Sequence, residues 1–332
     1  DRILVAKQAT PLVIGSIGSS VLIASDFPAI LSRTREVIFM EDGDIAEVSP
    51  GKIDIVNQGE PVSRETQTIL WDPETAERGG FPHFMLKEIY DQVRVTADTI
   101  RGRIDKVQDQ VVIADLGISL AKLAAFNRVQ LVACGTAWHA CLIARYYIEA
   151  YAGIPCDVEY ASEFRYRQQL CNEQTLVLAV SQSGETLDTL AALEHVGEQS
   201  TKIAVCNVLG SSITRKVDHV LYIHAGPEIS VASTKAFTTQ IVSLFLLARL
   251  MGQANQRSSG VLTGLLHDLT RLPAAIHEGL KRTESVVRDL AKELKDARDF
   301  LFIGRGICYP IALEGALKLK DISYIHAEGY AA

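Results

Sequence analysis

The stretch T175-LVLAVSQSGETLDT-L190 decides how this chain folds. An apolar run, Thr175–Val180, stops abruptly at Ser181-Gln182-Ser183-Gly184-Glu185-Thr186, and an apolar pattern then resumes at Leu187, Leu190, Ala191 and Val196. The first part reads as a fully buried strand and the last part as a helix beginning near Ser183. A strand, a hydroxyl-rich turn and a helix form half of a βαβ unit. In an open parallel sheet, ligands lie beyond the carboxyl ends of the strands. Unpaired N–H groups in the first helical turn, together with the helix dipole, favour an anion there. Gly184 permits close backbone approach, and Ser181, Ser183 and Thr186 supply hydroxyls without filling the space. The bland alternative is that Ser183 is only an N-cap. The strand before and the helix after favour a phosphate cradle.

The pattern repeats outward from this point. RVQLVACG, TKIAVCNV and HVLYIHAG are further short apolar runs, and HACLIARYYIEAY and LAALEHVG between them have helical spacing. Alternating strands and helices predict an α/β fold with a doubly wound parallel sheet. DFLFIGRGICYPIALEGALKLK, near the end, begins like VQLVACGTAWHACLIARYY, which implies a second copy of the unit with few strands. Residues 1–70 differ: strand-rich runs separated by Asp42-Gly43 and Pro50-Gly51, with VIFMEDGDIAEV reading as a hairpin. DPETAERGGFPHF (72–84) reads as a linker, and Leu86, Ile89, Tyr90 and Val93 predict a helix after it.

Composition narrows the function classes. The chain has 332 residues, 48% hydrophobic and 22% charged, with a net charge of −7. No basic surplus points to nucleic acid, and no apolar run reaches the roughly 18 residues of a membrane span. The six cysteines form no CxxC pair and read as buried, reduced thiols. His219 and His224 fall in one apparent strand on opposite faces, so no metal site is expected.

Three further segments carry candidate chemistry. Gly135 and Thr136 in ACGTAW end another strand and face the same crevice. Neither this turn nor GRGICYP follows GxGxxG, which disfavours a dinucleotide. In EISVASTKAFTTQ, Ser233 or Thr234 reads as an N-cap of a helix through Leu250. The loop at Val231–Ser233 covers a ligand, or merely caps the helix with Lys235 exposed. In GALKLKDISY, Lys318 and Asp321 share a helix face. Spacing alone favours an ordinary surface pair in which Glu314 bridges Lys318; the functional alternative makes Lys318 a cationic contact or proton carrier and Asp321 a general base.

CGTAWHA, SQSGET, CNVLGSSITR, EISVASTKAFTTQ and YPIALEGALKLKDISYIHAE, in this order, resemble the glutamine–fructose-6-phosphate aminotransferase (isomerising) family, as do EVIFMEDGD and GGFPHFMLKEI near the start. The resemblance covers essentially the whole chain. It implies the C-terminal part of an N-terminal-nucleophile glutaminase domain over 1–71, a linker and helix over 72–105, a first sugar isomerase (SIS) domain over 106–255, and the truncated start of a second over 256–332. It implies a cytoplasmic homodimeric enzyme that moves the amide nitrogen of glutamine to fructose 6-phosphate, with no metal or organic cofactor and no nucleic-acid or membrane partner. Carried over by motif, Ser181, Gln182, Ser183 and Thr186 hold the sugar phosphate beside Thr136, and Val231 and Ser233 contact the sugar. Lys318 lies near the reacting carbons, and Asp321 stands where the family commonly has a glutamate base. Ala137 replaces a frequent serine. The family's N-terminal cysteine, ring-opening histidine and C-terminal lysine have no counterpart among these residues. The chain is therefore expected to bind fructose 6-phosphate and not to hydrolyse glutamine. A SIS-type sugar-phosphate-binding regulator and a simple phosphosugar isomerase are the alternatives.

Overall fold

The computed structural model describes residues 2–8, 11–25, 27–69, 78–256 and 264–332. It divides into two compact units, Asp1–His83 and Phe84–Ala332. Of the linker expected at 72–84, residues 72–77 lie outside the described residues, as do 257–263, next to the expected boundary between the two SIS copies.

The first unit contains β1 (Ile3–Ala6), β2 (Val13–Ile17), β3 (Ser20–Ala24), β4 (Glu36–Phe39), β5 (Asp44–Ser49), β6 (Lys52–Asn57), β7 (Glu60–Val62) and β8 (Thr66–Thr68). These make two four-stranded antiparallel sheets, ordered β1-β5-β6-β7 and β3-β2-β4-β8. Ile14 and Met40 from one sheet meet Ala46, Val48 and Ile55 from the other in a shared apolar core. The expected β4–β5 hairpin does not form, because the two strands belong to different sheets. Asp42-Gly43 is instead a corner, with Gly43 at φ 86°. The fully buried Asp44 anchors the far side of it: its carboxylate accepts from Arg64 Nε and Nη2 at 2.9 and 2.7 Å, Asn57 Nδ2 at 2.7 Å and Glu41 N–H at 2.8 Å. Burial alone raises its pKa, but these donors outweigh burial and hold it down at about 2.

The second unit opens with α1 (Phe84–Ile100), which confirms the helix read from its spacing. A two-stranded ribbon, β9 (Ile104–Asp105) and β10 (Gln110–Val111), and α2 (Leu120–Ala124) lead into a βα repeat. Its elements are β11 (Arg128–Ala133), α3 (Gly135–Tyr147), β12 (Cys156–Tyr160), α4 (Ala161–Phe164), β13 (Thr175–Ser181), α5 (Leu187–Glu194), β14 (Thr201–Cys206), β15 (His219–Tyr222) and α6 (Lys235–Ala254). The five strands are all parallel, in the order β12-β11-β13-β14-β15. All seven residues of β13 are buried because both faces are covered. Leu176, Leu178 and Val180 point toward α3 and α6, while Val177 and Ala179 point toward α4 and α5. The doubly wound reading holds.

The stretch expected to hold a second copy contains α7 (Leu265–Glu293), β16 (Asp299–Gly304), α8 (Cys308–Ser323) and β17 (His326–Ala331). β16 and β17 pair in parallel, as β11 and β12 do, and α8 packs on them. α3 and α8 also pack against each other. Of the cysteines, Cys141, Cys156 and Cys206 are buried, but Cys308 is exposed, contrary to the sequence reading. No helix among the described residues is long and apolar enough to cross a membrane.

Candidate functional site

The strand order reverses between β11 and β13, so the crevice expected in an open α/β sheet lies beyond their carboxyl ends. A cavity of about 150 Å³ opens there. Cys134, Thr136 and Ala137 line it from the β11 side, Val180, Ser181, Gln182, Ser183 and Thr186 from the β13 side, and Ser233 and Gln240 from α6 and the loop before it. Six of the nine residues singled out from sequence are therefore brought together.

The turn after β13 is stiff. Ser181 Oγ accepts from Gly184 N–H at 3.0 Å and pairs with Thr186 Oγ1 at 2.9 Å. Ser183 Oγ accepts from Glu185 N–H at 3.1 Å. The carbonyls of Gln182 and Gly184 accept from Asn207 N–H (3.1 Å) and Ile213 N–H (3.0 Å), and Glu185 Oε1 accepts from Ser212 N–H at 2.7 Å. The turn thus moves as one body with the exit of β14. Gly184 has φ 68°, and a Cβ there would lie 2.2 Å from Ser211 Oγ. That left-handed residue ends any helical path, so α5 starts at Leu187 with Thr186 at its N-cap. The helix does not start near Ser183, and Ser183 is not its cap. The hydroxyls instead fold the turn, and the first-turn N–H groups of α5 remain beyond it.

The loop before α6 is held from behind by carboxylates. Glu228 Oε1 accepts from Thr234 N–H (2.9 Å) and Ala236 N–H (3.1 Å), and Ser233 Oγ donates to Glu228 Oε2 at 2.9 Å. Thr234 occupies the N-cap position, but its own side chain makes no capping bond. Burial pushes the Glu228 carboxyl above its ordinary range, against the pull of these donors. Lys235, read as exposed under the capping alternative, is fully buried and pairs with Asp91 Oδ2 at 3.0 Å. Burial lowers its pKa. Val231 is 100% exposed at the loop tip and does not line the cavity.

On α8, Lys318 Nζ donates to Thr136 Oγ1 at 3.0 Å and lies 3.3 Å from Glu314 Oε1 and 3.8 Å from Asp321 Oδ2. The i, i+4 bridge between Glu314 and Lys318 forms as the alternative reading had it, but not at the surface, because Glu314 is 5% exposed. Its Oε1 accepts from Thr136 Oγ1 at 2.9 Å and its Oε2 lies 2.7 Å from His139 Nδ1. Thr136 therefore accepts from one charged group and donates to another. Asp321 flanks Lys318 on a half-exposed face outside the cavity lining.

Sequence reasoning missed Gln240 and the pairing of His139 with Glu314. Gln240 is 1% exposed, and its Oε1 has no partner among the described residues. Its signal is its place in the stripe Ala236, Gln240, Ser243, Leu247, where α6 is otherwise small or apolar. His224 falls beyond β15 at φ 53°, so the two histidines do not share a strand as expected. Among the described residues no group of three or more His, Cys, Asp or Glu is placed to hold a metal ion.

The SIS domain family matches residues 122–250. The solved C-terminal domain of glucosamine-fructose-6-phosphate aminotransferase from Francisella tularensis is similar at 36% identity and a TM-score of 0.71, over 77% of this chain and 71% of that one. Curated glutamine–fructose-6-phosphate aminotransferases (isomerising) from Symbiobacterium thermophilum and Pseudomonas putida are 48% and 47% identical over 339 and 338 residues. Each match takes in 100% of this chain and 55% of the relative, so the chain spans about half the length of the curated relatives it matches. With the cradle, the repeat and these likenesses taken together, the chain belongs to the glutamine–fructose-6-phosphate aminotransferase (isomerising) family.

Proposed function

We propose that this chain is the sugar-phosphate-binding part of an enzyme that transfers the amide nitrogen of glutamine to fructose 6-phosphate and isomerises the product to glucosamine 6-phosphate. The observation that carries the proposal is the juxtaposition of the cavity's Ser181–Thr186 turn with Lys318, which reaches Thr136 from the second copy. The cavity is smaller than the roughly 300–1,000 Å³ of a site that engulfs a drug-sized ligand. It suits a phosphate head group, with the sugar extending toward α8. Ser183, Thr186 and the first-turn N–H groups of α5 serve as donors to the phosphate. Thr136 and Ser233, whose protons go to Glu314 and Glu228, offer lone pairs to sugar hydroxyls.

Lys318 supplies a cation beside the reacting carbons. Asp321 is assigned the base that moves a proton between C1 and C2, with the Lys318 ammonium 3.8 Å away. Val231, exposed at its loop tip, closes on the sugar through its backbone. The reading further gives this protein glutamine as nitrogen donor and a cytoplasmic homodimer, with residues 1–71 as the last part of the glutaminase domain, 72–105 as linker and helix, 106–255 as the first SIS domain and 256–332 as the start of the second.

Calorimetric titration of the chain tests the reading. Fructose 6-phosphate should bind and fructose should not. Ser183→Ala and Thr186→Val should each weaken binding by roughly tenfold, the scale of one hydrogen bond to a charged group. Equal heats for fructose and fructose 6-phosphate, or none for either, would sink it.

A further inference from the structure

Glu314 has both carboxylate oxygens occupied from one face of α3. Thr136 and His139 are three residues apart on that helix, so they project side by side. Thr136 Oγ1 donates to Oε1 at 2.9 Å, and His139 Nδ1 lies 2.7 Å from Oε2. Lys318, one turn further along α8, then sits between Thr136 Oγ1 and Glu314 Oε1 at 3.0 and 3.3 Å. His139 is 7% exposed and its ring packs at 59° against Trp138, which stacks on Tyr160 with ring centroids 3.9 Å apart. The imidazole is thus held in place by packing as well as by the hydrogen bond.

A carboxylate only accepts. Against a carboxylate Glu314, the 2.7 Å contact is a hydrogen bond donated by Nδ1–H. Without that N–H, Oε2 is a buried carboxylate oxygen with no donor, and Glu314 is free to rotate away from Thr136. Lys318 would then lose its two fixed partners in the cavity wall.

We propose that His139 is a positioning residue that orients Glu314 and, through Glu314 and Thr136, fixes the Lys318 ammonium at the rim of the phosphate cradle. The consequence for substrate rests on the proposed function, since Lys318 is argued there to face the sugar. The positional claim itself needs no ligand. His139 touches neither the cavity nor Lys318, so its effect on Lys318 is a signature that a purely local packing role would not produce.

The test uses the intact chain and three variants, His139→Asn, His139→Phe and His139→Ala, each first checked for a cooperative melt. Asn keeps a donor, whereas Phe keeps an aromatic ring without one. The readout is the rate at which acetic anhydride labels Lys318, taken by peptide mapping as a ratio to Lys320, which lies on the same helix with a 42% exposed side chain. In His139→Phe and His139→Ala the Lys318/Lys320 ratio should rise by about tenfold or more, the lower end for losing a hydrogen bond to a charged group. In His139→Asn it should stay within about twofold of the starting chain. An unchanged ratio in both Phe and Ala overturns the proposal. An equal rise in Asn and Phe also overturns it, because the ring's packing and not its hydrogen bond would then be what matters; should Phe fail to fold, Ala against Asn decides. A second readout separates this from the function. If the unmodified chain binds fructose 6-phosphate, His139→Ala should weaken that binding several-fold while leaving inorganic phosphate affinity within about twofold. If the unmodified chain binds neither, the functional reading fails and the labelling ratio still decides the role of His139.

Discussion

Gly184→Ala is the sharpest test of how the phosphate cradle is built. Two independent penalties meet at this position. The residue adopts φ 68°, and a left-handed conformation costs a residue bearing Cβ roughly 1–2 kcal/mol more than glycine. The new methyl would also lie 2.2 Å from Ser211 Oγ, 2.7 Å from Ser211 Cβ and 2.8 Å from Ile213 Cγ2. Ser211 cannot turn aside freely, because its Oγ donates to Val208 C=O at 2.9 Å. Overpacking of this kind costs about 1–3 kcal/mol. The sum, roughly 2–5 kcal/mol, should lower the melting temperature of the second unit by about 4–20 °C, at ~2–4 °C per kcal/mol for a domain of this size. Relief would come by pushing the turn outward, which breaks the 3.0 Å bond from Gly184 N–H to Ser181 Oγ, so phosphate affinity should fall by at least about tenfold. Scanning calorimetry with and without fructose 6-phosphate reads both effects. The double variant Gly184→Ala/Ser211→Gly separates the causes. It removes two of the three clashes and leaves the dihedral cost, so a thermodynamic cycle should show about 1–2 kcal/mol of favourable coupling. A variant that melts within about 1 °C of the parent, or a cycle with no coupling, would refute the reasoning.

Other expectations follow from the same structure. Asp44 has its pKa depressed from an ordinary 3.8 to about 2, so the stability it lends the first unit is present above about pH 4 and is lost as pH falls through about 2. That amounts to about 2 kcal/mol, and Asp44→Asn should flatten melting curves collected between pH 2 and 5. Lys235→Met should cost about 2–3 kcal/mol in urea denaturation, below the ~3–5 kcal/mol of a stranded buried charge, because Lys87 and Arg94 also lie 3.7 and 3.9 Å from Asp91. Adding Asp91→Asn should recover part of the loss. Titration with a thiol reagent in native buffer should give one fast thiol, Cys308, while Cys141 and Cys206 react only on unfolding; burial pushes the latter up to about 12. Rapid labelling at Cys141 in the folded chain would contradict its 0% exposure.

The parallel sheet was legible because its strands are covered on both faces, so Leu176 to Val180 run without a polar break, and Ser181 marks where cover ends. The first unit was less legible. β-formers on either side of Asp42-Gly43 look alike whether they pair or part, and what separates β4 from β5 is a buried carboxylate bonded to Asn57 and Arg64, residues far along the chain. The start of α5 was misplaced because Ser183 is a good cap, and the left-handed Gly184 that overrides it depends on contacts with Ser211 and Ile213. Within the site, the hydroxyl turn was readable from its place after a strand. Gln240 and His139 were not singled out, since a lone polar residue on a buried helix face acquires meaning only when the group opposite it is known. Glu314 looked like half of a surface ion pair for the same reason. Nothing local says that α3 will cover it.

The contact between Thr136 and Lys318 joins positions 182 residues apart. During synthesis at roughly 5–20 residues per second, Thr136 leaves the ribosome about 9–36 s before Lys318, and the last strand of the parallel sheet, ending at Tyr222, about 5–19 s before it. Until α8 emerges, the crevice lacks the wall that α8 supplies, and Thr136 and His139 lack Glu314 as a partner. Any affinity that depends on the lysine is therefore acquired late in translation, and substrate capture by the nascent chain would serve as a clock for its completion.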